Sequence, residues 1–131
     1  MEFIALLLTS FLFGGMLLFS VGFGTLSFKL LDAAVARAFI RQTFPYFYNY
    51  VLLVSVLIIL FSFNINKIVA GLAFSIFITT IPASTILMPA INKASDTQQK
   101  RRFVFLHTLS VFITLFHIII SAALLYIIFM P

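Results

Sequence analysis

The chain has no cysteine, no tryptophan, three acidic residues and two histidines in 131 positions. Without cysteine it has no disulfide, no thiolate metal site and no thiol nucleophile. Charge of either sign is scarce: 8% of the residues are charged, against roughly 25% in a soluble domain. Water therefore cannot be the solvent for most of the surface. What fills the chain instead is apolar, 63% hydrophobic with eighteen phenylalanines and a mean hydropathy of +1.24. The length suits one domain, expected as a single membrane domain over 1–131. The net charge of +5 reads as an orientation signal for a membrane protein, not as a nucleic-acid interface.

A membrane-spanning helix needs about 20 mostly apolar residues. Four segments qualify, at about 3–28, 45–63, 68–91 and 103–130, and none has Lys, Arg, Asp or Glu in its interior. The expected fold is all-α, an integral membrane four-helix bundle. The first segment follows Met1 and Glu2, with no basic n-region. Its run from Phe3 to Phe23 exceeds the roughly 7–15 residues of a signal-peptide core, so a retained span is expected. Thr43 and Pro45 are expected to open the second helix, with Tyr46, Tyr48 and Tyr50 at headgroup level. Residues 64–67 have the composition of a tight turn.

Lys29, Arg37 and Arg41 in the first loop and Lys93, Lys100, Arg101 and Arg102 in the third hold seven of the eight basic residues. The positive-inside rule puts those loops in the cytoplasm and both termini on the non-cytoplasmic side, in a bacterial inner membrane. Asp32 and Asp96 read as local charge partners within these loops. Residues 29–42 form an expected amphipathic basic segment. Lys29, Ala33, Arg37 and Arg41 lie on one side of it, and Leu30, Leu31, Ala34, Val35, Ala38 and Phe39 on the other. Such a segment anchors to anionic lipid.

The fourth span carries His107, Ser110, Thr114, His117 and Ser121, spaced 3, 4, 3 and 4, the seam of a left-handed helix pair. A polar stripe facing lipid is costly, so this face is expected to turn inward. His107 sits near the basic end, and His117 lies about 15 Å further along the axis. A neutral imidazole bonded to a neighbouring helix is the plainest reading of each. Haem ligation by His107 or His117 is the sharper alternative, although two histidines so far apart on one helix cannot share one iron. No cofactor is expected. In the third span Pro82 is expected to kink the helix, and Thr80 and Ser84 join the intramembrane polar stripe. In the first span Ser10, Gly14, Gly15 and Gly22 offer small-residue steps for close helix packing. Nothing in the chain forms a catalytic triad, a phosphate loop or a zinc motif, and an enzyme is not expected.

Four motifs taken together carry a resemblance. They are the run 13–20 with Gly14 and Gly15, the sequence Phe44, Pro45, Tyr46, the sequence Pro89 to Asn92, and Arg102, Phe103, His107, Ser110. In that order the chain resembles the transmembrane-protein-205-like family. The resemblance implies a four-helix membrane protein and no established reaction. It does not extend to His117. The matched positions fall at the cytoplasmic ends of the spans, where Tyr46, Asn92, Arg102, His107 and Ser110 are expected to converge as a pocket for a carboxylate, a phosphate or a lipid headgroup. The expected function is that of a non-enzymatic accessory or assembly subunit, with membrane lipids, further copies of the chain or other membrane subunits as partners. The alternatives are a small transporter or channel-like protein using the polar face between the third and fourth helices, and a haem- or quinone-associated redox subunit.

Overall fold

Four apolar runs become four long helices. The computed structural model describes residues 1–130, and its helices are α1 (Glu2–Leu30), α2 (Ala33–Ser62), α3 (Lys67–Asp96) and α4 (Lys100–Phe129). All four are long and apolar enough to cross a membrane. Thirty residues make a rod of about 45 Å, against about 30 Å of hydrocarbon, so the helix ends reach into the headgroup layers. Each helix packs on its neighbours in sequence, and the first half of α1 closes the ring on α4.

The junctions are short because each has local chemistry that ends one helix and starts the next. The α2–α3 turn closes on Asn66, whose side chain accepts from the backbone N–H groups of Ile68 and Val69 at 3.0 and 3.3 Å. This is an N-cap, and it satisfies two donors that the first turn leaves free. The α3–α4 turn swings on Gln98, whose φ of 55° is left-handed. The Gln99 N–H then reaches back to the Ala94 carbonyl at 2.9 Å. This is a Schellman closure with glutamine where glycine is usual.

Two of the four helices contain a π-helical turn, Leu18–Phe23 in α1 and Ala83–Leu87 in α3. The second begins immediately after Pro82. Proline has no N–H to give to the carbonyl four residues back, so the regular ladder breaks there. Thr85 Oγ1 donates to the Ile81 carbonyl at 2.7 Å within the irregular turn, whereas the carbonyl that Pro82 deprives of a donor is that of Ile78.

The core joins Leu12 and Met16 of α1, Phe47, Val51, Val54 and Ile58 of α2, Val69, Ala73 and Ile76 of α3, and Ile120 and Leu124 of α4. It is tight at the end that holds the termini and looser at the basic end. Every buried residue of α4 lies between His117 and Leu124. The second half of α1 buries Ser27 alone. Outside this core, Phe3, Leu53, Ile86 and Phe112 each expose more than half of their surface, as a lipid-facing exterior does.

Three local expectations are corrected. The second helix begins at Ala33, not at Thr43–Pro45: Pro45 lies inside it, and Thr43 Oγ1 donates backward to the Phe39 carbonyl at 2.6 Å. One missing hydrogen bond does not outweigh the bonds of a helix already propagating on both sides. The basic segment 29–42 is therefore largely the first turns of α2. Its apolar members Leu30, Leu31, Val35 and Phe39 are exposed, and the buried residue there is Ala36. Because α2 starts so early, Tyr48 and Tyr50 lie more than 20 Å along it and pack into the bundle instead of marking a headgroup belt. Asp96 pairs across the bundle instead of locally. Both of its carboxylate oxygens accept from the Arg41 guanidinium, at 2.7 and 2.8 Å. That pair ties α2 to the end of α3, but both side chains are about half exposed, so salt screens it and it adds little to stability.

Candidate functional site

The polar groups inside the bundle centre on one contact. His117 of α4 is 4% exposed, and its Nε2 lies 2.7 Å from Thr79 Oγ1 of α3. The two positions meet because α3 and α4 run antiparallel and each is about seventeen residues from the short α3–α4 turn. The threonine hydroxyl has one proton. It also contacts the Ser75 carbonyl at 2.6 Å, and a carbonyl can only accept. The proton therefore goes to Ser75, and the imidazole Nε2–H donates to Thr79. Nδ1 is left with its lone pair, and no hydrogen bond to it occurs among the described residues.

The surrounding hydroxyls are engaged within their own helices. Thr80 donates to Ile76 at 2.6 Å, Ser121 to Ile118 at 2.8 Å, Ser55 to Val51 at 2.7 Å and Thr9 to Ala5 at 2.7 Å. Apart from the His117 Nδ1, no buried side-chain nitrogen or oxygen among the described residues lacks a partner. Such saturation is what a dry interior requires.

The inward stripe on α4 is realised over part of its length. His117 and Ser121 are buried, Ser110 and Thr114 are half-buried, and His107 is exposed, its ring stacked on Phe103 at 5.6 Å. The seam turns outward toward the basic end because α4 keeps its packing on α3 there while the second half of α1 no longer covers it. On α3, Thr80 is buried and Ser84 half-buried beside the Pro82 break. Thr79 is the residue that reaches α4.

The small residues of α1 divide sharply. A methyl built on Gly15 would collide with the Tyr50 hydroxyl and ring, and that hydroxyl donates to the Phe11 carbonyl. Gly14 has open space around it, Gly22 meets only Leu18 of its own helix, and Ser10 is exposed. The expected packing role therefore falls to Gly15 alone of the four. The face that packs is Ala5, Thr9, Leu12 and Met16, at steps of 4, 3 and 4. Tyr50 is a residue whose role sequence reasoning missed. The available signal was its depth, since Gly15 and Tyr50 are both about 20 Å from the ends of their helices at the terminus side.

The residues expected to converge at the basic end do not form one enclosed site. Tyr46, Arg102 and His107 are exposed, and Asn92 and Ser110 are half-buried. Arg102 and His107 are five residues apart, about 140° around the helix, so they flank the inward face of α4 from opposite sides. Tyr48, not Tyr46, turns inward, and its hydroxyl lies beside Ser110. Lys100, Arg101, Val104, Phe105 and Thr108 form an open face of α4 at this end, turned away from the buried side that carries His117 and Leu124.

The two histidines differ in what they could offer a cofactor: His107 is exposed, and His117 is engaged. An iron on His117 would compete with Thr79 for Nε2 or need Nδ1 within a packed interior. Among the described residues no three His, Cys, Asp or Glu side chains gather where they could hold a metal ion.

No curated protein and no solved structure matches the chain. A family model does match, over residues 7–100. That stretch takes in α1 from its second turn, all of α2 and α3, and both halves of the Gly15–Tyr50 contact. Thr79 and Pro82 lie inside it, while Arg102, His107 and His117 lie beyond it. A domain carrying these three helices is DUF4149, a domain of unknown function, and the chain belongs to that family.

Proposed function

We propose that this protein is a non-enzymatic accessory or assembly subunit of a complex in a bacterial inner membrane, with its basic loops in the cytoplasm and both termini outside. The observation that carries the reading is the closed interior. Every buried polar side chain among the described residues already has a partner, and the inward atom left free is the His117 Nδ1 lone pair, so the interior presents no set of groups with which to act on a substrate. What it offers is its outer surface, where large apolar side chains such as Phe105, Phe112, Phe116 and Phe74 stand exposed and can meet lipid or other membrane helices. The finer relationship to transmembrane-protein-205-like proteins belongs to the same reading. Its support is the order of the glycine pair, the Phe44–Pro45–Tyr46 step and the Pro89–Asn92 step, all within the matched residues 7–100.

The orientation rests on charge. The helix segments flanking the two junctions at one end of the bundle carry seven of the eight cations, while Lys67 stands alone at the other end. An alkaline phosphatase fused after residue 131 is expected to be active in the periplasm, and a fluorescent protein fused there to stay dark. The reverse pattern would invert the topology. The subunit role is tested by purification in mild detergent. A stoichiometric second protein, or a stable multimer of this chain, is expected. A monodisperse monomer carrying lipid alone would overturn the subunit role.

Transport is the second reading. It draws on the polar face between α3 and α4, where Pro82 and its π-helical turn adjoin the Thr79–His117 contact. It requires that face to become wet. A redox subunit would require His107 at the bundle surface or His117 released from Thr79.

A further inference from the structure

We propose that the cytoplasmic end of α4 binds a single anionic phospholipid, with its phosphate held between Lys100 and Arg101 and an acyl chain lying over Val104 and Phe105. The inference rests on the membrane reading of the four helices and is independent of the subunit role. The five residues of this open face, Lys100, Arg101, Val104, Phe105 and Thr108, recur at steps that keep them on one side of the helix. That side is amphiphilic along the membrane normal. Two cations stand at the rim, and Val104 and Phe105, 60% and 69% exposed, continue from them toward the hydrocarbon. A phosphate with a chain attached has the same polarity in the same order.

The cations are unmatched within the protein. Among the described residues the one ion pair is Arg41 with Asp96, and the first turn of α4 contains no acidic residue. Two adjacent unpaired cations favour a headgroup with net negative charge. A zwitterionic headgroup brings its own cation and loses that advantage. A second copy of this chain is a poor occupant, because it has three acids in all. Asp96 is taken by Arg41, and Glu2 lies at the opposite end of the bundle, which leaves Asp32. Free phosphate satisfies the cations and leaves the apolar floor uncovered.

The test uses the full chain, delipidated in detergent, and native mass spectrometry with phosphatidylglycerol or phosphatidylcholine of matched chains. One phosphatidylglycerol adduct is expected, preferred over phosphatidylcholine by about tenfold or more. The double substitution Lys100→Gln, Arg101→Gln should abolish that preference. Phe105→Ser should weaken binding of the lipid without restoring phosphatidylcholine to parity. Lys93→Gln, which removes an exposed cation on α3 at the same end of the bundle, should leave the preference intact. All of these residues are exposed, so elution and helicity should match the parent chain. Equal binding of the two lipids overturns the proposal. So does an equal loss in Lys93→Gln, which would mean diffuse surface charge. Full competition by inorganic phosphate at millimolar concentration, or a dimer that Phe105→Ser dissolves, would likewise replace the lipid with another occupant.

Discussion

Replacing Gly15 by leucine should separate α1 from α2, while the same change at Gly14 should be tolerated. The two glycines are adjacent, about 100° apart around α1, and their surroundings are opposite. A methyl at Gly14 meets nothing within 4 Å, whereas one at Gly15 runs into Tyr50. The Tyr50 ring also packs edge-on against Phe11, with centroids 5.1 Å apart, and its hydroxyl donates to the Phe11 carbonyl. A leucine at Gly15 must push that ring off the helix, losing the hydrogen bond and the aromatic contact together. Overpacking of this kind costs about 1–3 kcal/mol. The measurement is unfolding in mixed detergent micelles, read by helicity. The expected result is a lowered midpoint for Gly15→Leu, a midpoint unchanged or raised for Gly14→Leu, and partial recovery when Tyr50→Ala is added to Gly15→Leu. Equal behaviour of the two glycine variants would mean that Tyr50 does not rest on Gly15.

The second large effect is expected at His117. Truncation to alanine removes a buried ring from the α3–α4 contact and should cost about 2–4 kcal/mol, chiefly through the cavity. The hydrogen bond itself carries less, about 0.6 kcal/mol on average and up to about 1.7 kcal/mol for interhelical bonds in membranes. His117→Leu should therefore lose much less than His117→Ala. Thr79 is not orphaned by either change, because its hydroxyl keeps the Ser75 carbonyl at 2.6 Å. Thr79→Val is different: it leaves the His117 Nε2–H buried without an acceptor, a penalty of about 1–3 kcal/mol. If His117→Leu matches the parent chain in stability and in complex formation, the imidazole is a packing residue. A leucine variant as unstable as the alanine variant would make the hydrogen bond, and not the volume, the larger contribution.

The candidate site was legible in part. The 3, 4, 3, 4 spacing on α4 identified His117 and Ser121 as inward, because a sustained polar stripe in an apolar helix has to avoid lipid. It also named His107, which is exposed. Spacing describes one helix, and whether its seam is covered depends on how closely the partner helices approach at that level. Pro82 was legible as a break because the missing N–H is local chemistry. Thr80 was placed in the stripe, but the residue that meets α4 is Thr79, and the rotation of α3 that decides between these neighbours is not written in the spacing.

By itself the sequence determined that this protein lives in lipid, crosses it with four helices and carries its cations at one end. These properties follow from the solvent that each stretch of chain requires, and apolar runs and charges record that directly. The tertiary structure decided where α2 begins, which of two adjacent glycines touches a neighbour, that Tyr48 and Tyr50 turn inward, and that Arg102 and His107 point apart. In a water-soluble helix the contrast between polar and apolar sides marks the buried face. Here lipid and core are both apolar, α1 and α4 are hydrophobic nearly all the way round, and only the packing of one helix on another distinguishes inside from outside.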